Sequence, residues 1–485
     1  MNFNNLNEFI DFLEKRNELK RITTTVDSNL EITEIVDRVF KNSGPALLFE
    51  NVVGSDFPLL INLFGTEQRM CWGLGVDNPS ELINKIKDLL ANVENPPKTI
   101  LDKINALKTL FSLRVIQPKS VKKAECQEVI YKNNEVDLYK LPLMTCWPED
   151  GGPFITMPLV FTRDPITNIR NVGTYRMQVY NKNTTGMHWQ THKVGKSHMA
   201  KAKEVGKRYI DVSVAIGADP TTMWTGSAPL PPQIDEMMLS GFLKNSNVKM
   251  VKCVTNDLEV PASSEIVLEG YVDTEEMRDE GPFGDHTGYY SGKEPYPVFH
   301  VNAITHKKNP TYVSTVVGIP PKEDYVMGKM TEKLFLPIIQ MAIPEIRDMN
   351  MPAEGIFHNL VIVSIKKSYP GQAYKVMYAL WGLGLLSLAK IIIVVDEFVD
   401  INNNSELLWR VTNNIAPDRD VITLKGPTDD LDHTMTSFAF GGKLGIDATR
   451  KIEGESGLKE WPNDIVMSQE IKDLVTKKWE KYGLE

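Results

Sequence analysis

The spacing of apolar residues divides the chain into three regions. In the first, apolar positions recur with helical spacing over residues 6–19 and again over residues 30–39. Short apolar runs over residues 46–53 and 58–64 flank a glycine turn and predict strands. Helical spacing returns over residues 80–111. This region therefore predicts a small α/β unit.

Short β-rich runs, punctuated by Gly, Pro and Asn, dominate the second region. We predict strands at residues 159–162, 172–180, 212–216, 248–254, 266–272, 298–304 and 312–317. Helical inserts are expected at residues 198–205 and 233–242. Many short strands with turn signals between them indicate a β-barrel or a split sheet.

Strands and helices alternate again from residue 320 onward. The predicted strands are residues 360–365, 391–395 and 420–424, and the predicted helices are residues 371–381 and 405–413. A charged amphipathic helix follows over residues 468–482. We therefore expect an α/β (α+β) chain, divided into domains at residues 1–120, 121–319 and 320–460, with a terminal helix in residues 461–485.

Composition excludes several classes of protein. The 54 Lys and Arg against 63 Asp and Glu give a net charge of −9, which argues against a general nucleic-acid binder. The four cysteines form no CxxC or Cys/His cluster, so neither a zinc site nor a disulfide framework is indicated. No apolar run reaches the roughly 18 residues of a spanning helix, and the first residues lack the apolar core of a signal peptide. We therefore expect a cytoplasmic protein.

One polar constellation lies between Asn171 and His192. Asn171 and Arg176 would face opposite sides of a regular strand, and Gly173 between them would allow a bulge. An Asn oxygen, a His nitrogen and a carboxylate form a mostly hard ligand set, which suits Mn²⁺ or Mg²⁺. On spacing alone, ordinary polar residues of a sheet edge remain the plainer interpretation.

A second constellation is the EGPFGDHTGYY run that starts at Glu280. Gly and Pro enforce a tight loop that brings Glu280 and Asp285 to one mouth. Crowding of the two carboxylates, with Phe283 beside them, would raise one pKa and create a general acid. Arg176 would keep the other carboxylate ionised, and a decorated surface turn is the plainer alternative.

Other chemical motifs are weaker. Asp235 and Glu236 fall in the first turn of a predicted helix, where acids are common for electrostatic reasons alone. Neither Lys390 nor Lys443 lies in a phosphate loop, and no GxGxxG or GxSxG motif is present. Dinucleotide binding of the Rossmann type and serine hydrolysis are therefore unsupported.

Several longer runs together resemble the UbiD family of decarboxylases. They are MTCWPED from Met144, NVGTYRMQV from Asn171, GMHWQTH from Gly186, NDLEVPAS from Asn256, EIVLEGY from Glu265 and EGPFGDHTGYY from Glu280. The resemblance extends from Pro45 to Lys451, which is most of the chain. It implies an N-terminal α/β domain, a split β-barrel of the flavin-reductase type that holds the cofactor, and a C-terminal α/β domain.

The resemblance also implies non-oxidative decarboxylation with prenylated FMN. Arg176, Glu280 and Asp285 match the family's catalytic group, in which Arg176 orients the substrate carboxylate and either Asp285 or Glu280 returns a proton, with Asp285 the favoured donor. Asn171, His192 and Glu236 match the ligands of a divalent metal, typically Mn²⁺, and some members also hold K⁺. The residues matching cofactor contacts are Thr174, Tyr175, Arg176, His188, Trp189, Gln190, Lys193, Val194 and, less closely, Lys390.

The resemblance leaves the aromatic acid open. MTCWPED and NDLEVPAS resemble the ubiquinone-pathway enzyme for 4-hydroxy-3-polyprenylbenzoate, whereas GGKLGIDATRK resembles the menaquinone-pathway (futalosine route) dihydroxynaphthoate decarboxylase. Catabolic hydroxybenzoate decarboxylation and an FMN-dependent reductase are further alternatives. Expected partners are a flavin prenyltransferase that supplies the cofactor and further copies of the chain, as a dimer or a hexamer. A lipid-tailed substrate would require peripheral membrane contact at most.

Overall fold

The structure, a computed structural model, describes residues 1–94, 116–457 and 460–484. The N-terminal region contains α1 (Leu6–Glu14), β1 (Leu19–Ile22), α2 (Glu31–Lys41), β2 (Ala46–Phe49), β3 (Leu59–Ile61), α3 (Glu67–Gly73) and α4 (Pro79–Glu94). Helix α1 ends earlier than predicted, because Asn17 adopts a left-handed φ of 59° and Leu19 opens β1. The predicted helical stretch 80–111 is helical as far as Glu94, and its remainder lies outside the described residues.

The central region is rich in short strands, as the pattern predicts. Its strands are β4 (Lys119–Val121), β5 (Val129–Lys132), β6 (Phe154–Ile155), β7 (Pro158–Arg163), β8 (Arg170–Gly173), β9 (Met177–Asn181), β10 (Thr184–Gly186), β11 (Tyr209–Ile216), β12 (Lys249–Lys252), β13 (Glu259–Pro261), β14 (Ile266–Glu280), β15 (Glu294–His306) and β16 (Tyr312–Val313). Its helices are α5 (Val194–Glu204), α6 (Pro220–Thr225) and α7 (Glu236–Lys244).

Strand order explains why the central sheet curls. Among the described residues, nine strands form one sheet in the order β6-β9-β10-β15-β14-β11-β7-β8, with β5 on β15. Strands β8 and β9 are consecutive in the chain but lie near opposite ends of this order. The chain from Gly173 to Met177 spans at most about 14 Å, so the two ends must approach each other. The predicted strand 172–180 is therefore broken at residues 174–176, which cross the seam of the half-barrel.

The N-terminal and central regions share a core. Strand β16, which follows the half-barrel, pairs with β3 in the N-terminal sheet β1-β2-β3-β16. One buried cluster joins Leu6 and Leu60 of the N-terminal unit to Phe161 of β7. These contacts fix the half-barrel against the N-terminal unit.

The C-terminal region is a layered α/β domain. Its elements are α8 (Glu323–Ala342), β17 (Ile346–Asn350), β18 (Leu360–Ile365), α9 (Gln372–Trp381), β19 (Ile391–Asp396), α10 (Asn404–Asn414), α11 (Pro417–Asp420), β20 (Val421–Pro427), β21 (Phe440–Asp447) and α12 (Gln469–Lys478). Strands β18, β19 and β21 are parallel. Ile392 packs towards Met377 of α9, whereas Ile393 packs on the opposite face with Leu407 of α10, as alternation along a strand requires.

No described helix is long and apolar enough to cross a membrane. Helix α8, the first element of the C-terminal region, packs against α4 of the N-terminal unit.

Candidate active site

Arg176 lies at the seam of the half-barrel and is held by two carboxylates. Its Nε donates to Glu280 Oε1 at 3.0 Å, its Nη1 donates to Asp285 Oδ2, and its Nη2 donates to Ser291 Oγ at 3.3 Å. The side chains of Arg176, Glu280 and Asp285 are only 10%, 0% and 8% exposed. The predicted catalytic group is therefore assembled from β14, the loop that follows it and the β8–β9 connection.

His188 and Phe283 complete the immediate surroundings of this group. His188 Nδ1 lies 2.8 Å from Glu280 Oε1, and the guanidinium carbon of Arg176 lies 4.6 Å from the centre of the Phe283 ring. Gly186 lies so close to Glu280 that a Cβ there would come within 2.8 Å of Oε2. Glycine at this position therefore leaves room for the carboxylate.

The charge state of the two carboxylates differs from the expectation based on crowding. Burial alone would raise both pKa values, but His188 and Arg176 hold the pKa of Glu280 below its usual range. Arg176 and His286 likewise hold the pKa of buried Asp285 well below its usual range. Both groups are therefore carboxylates at neutral pH in this arrangement, because the Arg176 guanidinium lies between them.

The structure brings two of the three predicted metal ligands together. Glu236 Oε2 accepts a hydrogen bond from the Val172 N–H at 2.9 Å, next to Asn171 in the chain. Burial raises the pKa of Glu236 to about 7 and that of Tyr175 to about 12. His192 is exposed in the turn before α5.

In the described part of the chain, no three His, Cys, Asp or Glu side chains are arranged to hold a metal. Asn171 and Glu236 nevertheless offer oxygen donors of the hard type that Mn²⁺ accepts. Asn171 Nδ2 is buried without a hydrogen-bond partner in the described structure.

Apart from Lys390, the residues expected to contact a flavin lie at this seam or in the stretch that follows β10. Thr174 and Tyr175 precede Arg176, and the stretch from His188 to Val194 leads into the N-terminus of α5. His188 Nε2, Trp189 Nε1 and Glu280 Oε2 are buried without partners among the described residues. Buried polar atoms are rarely left unpaired, so this wall is suited to a polar ligand.

The C-terminal domain covers this wall through the segment after β20. Asp430 Oδ2 accepts a hydrogen bond from the Thr191 N–H at 2.8 Å, and the His433 ring lies 4.5 Å from that of Tyr289. Lys390 Nζ donates to Asp432 Oδ1 at 3.0 Å in this segment. Its predicted contact with a phosphate stays a prediction.

Family models match nearly the whole chain in consecutive order. They describe the N-terminal, Rift-related and C-terminal domains of 3-octaprenyl-4-hydroxybenzoate carboxy-lyase, and they match residues 10–90, 119–320 and 325–448. The chain belongs to the UbiD family. This confirms the resemblance found in the sequence and makes the protein a carboxy-lyase of that family.

UbiD relatives and solved UbiD-class structures match over their full length. An uncharacterised protein of Archaeoglobus fulgidus is 49% identical, with 99% of this chain and 98% of the relative covered. Vanillic acid decarboxylase of Sedimentibacter hydroxybenzoicus in its closed form has a TM-score of 0.85 at 27% identity, with 99% of both chains covered. HmfF of Pelotomaculum thermopropionicum, solved in complex with FMN, has a TM-score of 0.79 at 27% identity, with 98% of this chain and 99% of HmfF covered. The predicted fold class is confirmed.

Sequence reasoning missed several residues of this UbiD site. The sequence patterns do not single out His286, which lies within the EGPFGDHTGYY run, or Ser291, which directly follows it. A histidine beside a candidate acid was a usable signal for His286. His358 comes from the C-terminal domain and carries no local motif, so only the fold reveals it.

Proposed function

We propose that the protein catalyses the non-oxidative decarboxylation of an aromatic acid with prenylated FMN, in the cytoplasm. The observation that carries this proposal is the position of Arg176 between two ionised carboxylates in a buried site. A guanidinium has five N–H donors, and Glu280, Asp285 and Ser291 accept three of them. The remaining two can bind a substrate carboxylate in a bidentate manner.

The cofactor would be held by the wall between Thr174 and Val194. Within this wall, Trp189 Nε1 and His188 Nε2 are buried without hydrogen-bond partners among the described residues, and both can form hydrogen bonds with a flavin. The N-terminus of α5 at Val194, with Lys193 before it, suits a phosphate. When bound, prenylated FMN supplies the electron sink for the electron pair left by the departing CO₂.

The protein's own part in the reaction is orientation and proton transfer. Arg176 aligns the carboxylate, and Phe283 and the buried wall exclude water from it. Asp285 returns a proton to the carbon that loses CO₂, and Glu280 stays ionised against Arg176 and His188. Since Asp285 is a carboxylate at rest, it must collect that proton during each cycle.

Asn171 and Glu236 would hold a divalent cation, with His192 joining from its turn, and the cation would supply positive charge for a cofactor phosphate. We expect Glu236→Gln to lose Mn²⁺ and flavin together, because the buried carboxylate supplies the negative charge. Metal analysis by mass spectrometry tests this, with exposed Glu275→Gln as the matched control. Unchanged metal content in Glu236→Gln would remove Glu236 from the ligand set. Whether K⁺ also binds is read from the same analysis.

For the substrate, we propose a quinone precursor, with 4-hydroxy-3-polyprenylbenzoate first and dihydroxynaphthoate second. The motifs that resemble those two enzymes support this order. A prenylated substrate would be collected by peripheral contact with a membrane. Catabolic hydroxybenzoates are the third candidate, and the vanillic acid decarboxylase neighbour makes vanillate a useful test compound.

Co-expression with a flavin prenyltransferase provides the deciding experiment. We expect the purified protein to carry a flavin with the added mass and altered visible spectrum of the prenylated form. CO₂ release from prenylated hydroxybenzoate, dihydroxynaphthoate and vanillate then ranks the substrates. Bound unmodified FMN that oxidises NAD(P)H, without CO₂ release, would identify a flavin reductase instead.

A further inference from the structure

His286 contacts the Asp285 carboxylate oxygen that Arg176 does not bind, and the proposed reaction assigns no role to this contact. The His286 backbone N–H donates to Asp285 Oδ1 at 2.7 Å, and His286 Nδ1 lies 2.7 Å from the same oxygen. Arg176 binds the other oxygen, Oδ2. Asp285 is therefore held between a permanent cation and an imidazole that can gain or lose a proton.

The other nitrogen of His286 meets a second histidine across the domain contact. His286 Nε2 lies 3.0 Å from His358 Nε2. Two imidazoles at this distance need one donor and one acceptor, so only one proton lies between them. His358 Nδ1 is buried without a partner among the described residues, so it has no second polar anchor.

The backbone before His358 is strained in a way that orients it. Ile356 and Phe357 both have a φ of 46°, which is costly for a β-branched or bulky residue. Such strain is kept where the surrounding structure requires it, often at functional sites. Here it lays the Phe357 ring 5.4 Å from that of His286 and places His358 beyond it.

Charged groups from every neighbouring element act on this pair. Asp285, Asp324 of α8 and Asp429 of the covering segment favour a cation at His286, and the pKa of His286 is raised despite its burial. Burial, with His286 and Lys193 nearby, lowers the pKa of His358 to about 4, although Asp429 and Asp285 oppose this shift. Arg176 lies beyond Asp285. The proton therefore resides on His286, and His358 accepts from it.

We propose that His286 and His358 share one proton between their Nε2 atoms, across the contact between the half-barrel and the C-terminal domain, and that His286, kept protonated by this contact, recharges Asp285 from its Nδ1 in each cycle. The proposal rests on the proposed decarboxylation. In the balanced step, one proton moves from His286 Nδ1 to Asp285 Oδ1, and Asp285 then passes that proton to the product carbon and returns to the carboxylate. His286 becomes neutral and regains one proton from solvent, which equals the one consumed for each CO₂ released. Both histidines act through Asp285 as positioning residues.

The first test is histidine side-chain NMR of the full-length chain without cofactor, labelled at its eight histidines. We expect His286 to titrate above the ordinary histidine pKa and His358 below it. His358→Leu removes the acceptor and should lower the pKa of His286 by at least ~0.5 unit. Asp285→Asn should lower it from the other side. His300→Asn, which removes a comparable histidine–carboxylate pair with Glu276, should leave His286 unchanged.

The second test uses the loaded enzyme. Because the relay needs protonated His286, kcat should fall as pH rises through the pKa measured by NMR. His286→Gln should lose this alkaline limb and lower kcat about 10²-fold at an unchanged KM. His358→Leu should move the limb to lower pH by the same amount as the NMR shift.

Independent titration of His286 and His358, or an unchanged alkaline limb in His286→Gln, would overturn the proposal. A wild-type enzyme that releases no CO₂ would instead overturn the proposed function. The NMR titration requires neither cofactor nor substrate, so it would still decide whether the two histidines share a proton.

Discussion

Contact with Arg176, rather than the crowding of two carboxylates, determines the charge of Glu280 and Asp285. Two buried carboxylates within one loop would ordinarily repel each other, and one would take up a proton. Arg176 contacts both, so each is stabilised as an anion and the pKa of Arg176 itself is raised. A further anion could therefore bind Arg176 only through the guanidinium N–H groups that Glu280, Asp285 and Ser291 leave free.

The variant Asp285→Asn tests the proposal that Asp285 is the proton donor. An amide keeps the shape of the side chain but cannot deliver a proton, so we expect retained flavin and a loss of turnover of about 10²–10⁴-fold. CO₂ release and solvent H/D exchange into the product measure this. Asp257→Asn, an exposed partner of Lys252 with 88% side-chain exposure, is the control. Full activity in Asp285→Asn would reassign the donor.

At the scale of elements, the long strands β14 and β15 place charged residues in the protein interior, where each charge needs a partner of opposite sign. Strand β14 delivers Glu280 at its end to the active site, and Glu265 lies directly before its first residue. Lys307, directly after β15, donates to Glu265 Oε1 at 2.6 Å, and the two side chains are 6% and 0% exposed. The ends of this strand pair are thus joined by a buried ion pair.

Lys307→Met should destabilise the protein by about 3–5 kcal/mol, because it leaves the Glu265 charge buried and uncompensated. Burial already raises the pKa of Glu265. A carboxyl group whose pKa is raised by folding destabilises the folded protein once the pH exceeds the pKa of that group in the unfolded chain. The loss of stability in Lys307→Met should therefore be larger at pH 8 than at pH 5. Urea unfolding measures it, with exposed Lys308→Met as the control. Equal stability of the two variants would show that the pair is dispensable.

The terminal helix α12 leaves apolar side chains in water. Ile471 and Leu474 lie three residues apart on one face and are 40% and 44% exposed. We expect this face to pack on a second copy of the chain, as in the dimer or hexamer that the resemblance implies. Changing both residues to Ser should lower the mass measured by light scattering, whereas changing Lys472 and Asp473 to Ser should not. An unchanged mass in the first variant would place the subunit contact elsewhere.

At the scale of the whole molecule, the active site is completed by contacts between regions. The N-terminal unit and the half-barrel share a core, which keeps the seam in place. The C-terminal domain adds Asp430 over Thr191 and His358 over His286. The segment that covers the site therefore belongs to the C-terminal domain, whereas Arg176, Glu280 and Asp285 belong to the half-barrel. The two meet only when these regions pack together.

Asp430→Ala should loosen this cover locally. The Thr191 N–H would lose its carboxylate acceptor, so we expect faster hydrogen exchange at Thr191 with the half-barrel strands unchanged. Exchange measured by mass spectrometry or NMR decides this. Asp400→Ala, which removes a carboxylate that accepts from the Asn402 N–H in its own turn, is the control. Unaltered exchange at Thr191 would mean that Asp430 does not hold the cover.

The sequence by itself determined the family and the fold class, and it predicted the members of the catalytic group. Those conclusions rest on local patterns and continuous motifs, which survive without knowledge of distant contacts. It could not place the break between β8 and β9, since that break follows from strand order across the whole sheet.

Only the tertiary structure decided the charge states and the second histidine. Glu280 lies 104 residues from Arg176, and His358 lies 72 residues from His286. A pKa depends on burial and on the distance to other charges, and both are set by such long-range contacts. Crowding in one loop therefore predicted a protonated acid, whereas the folded chain supplied the cations that keep both carboxylates ionised.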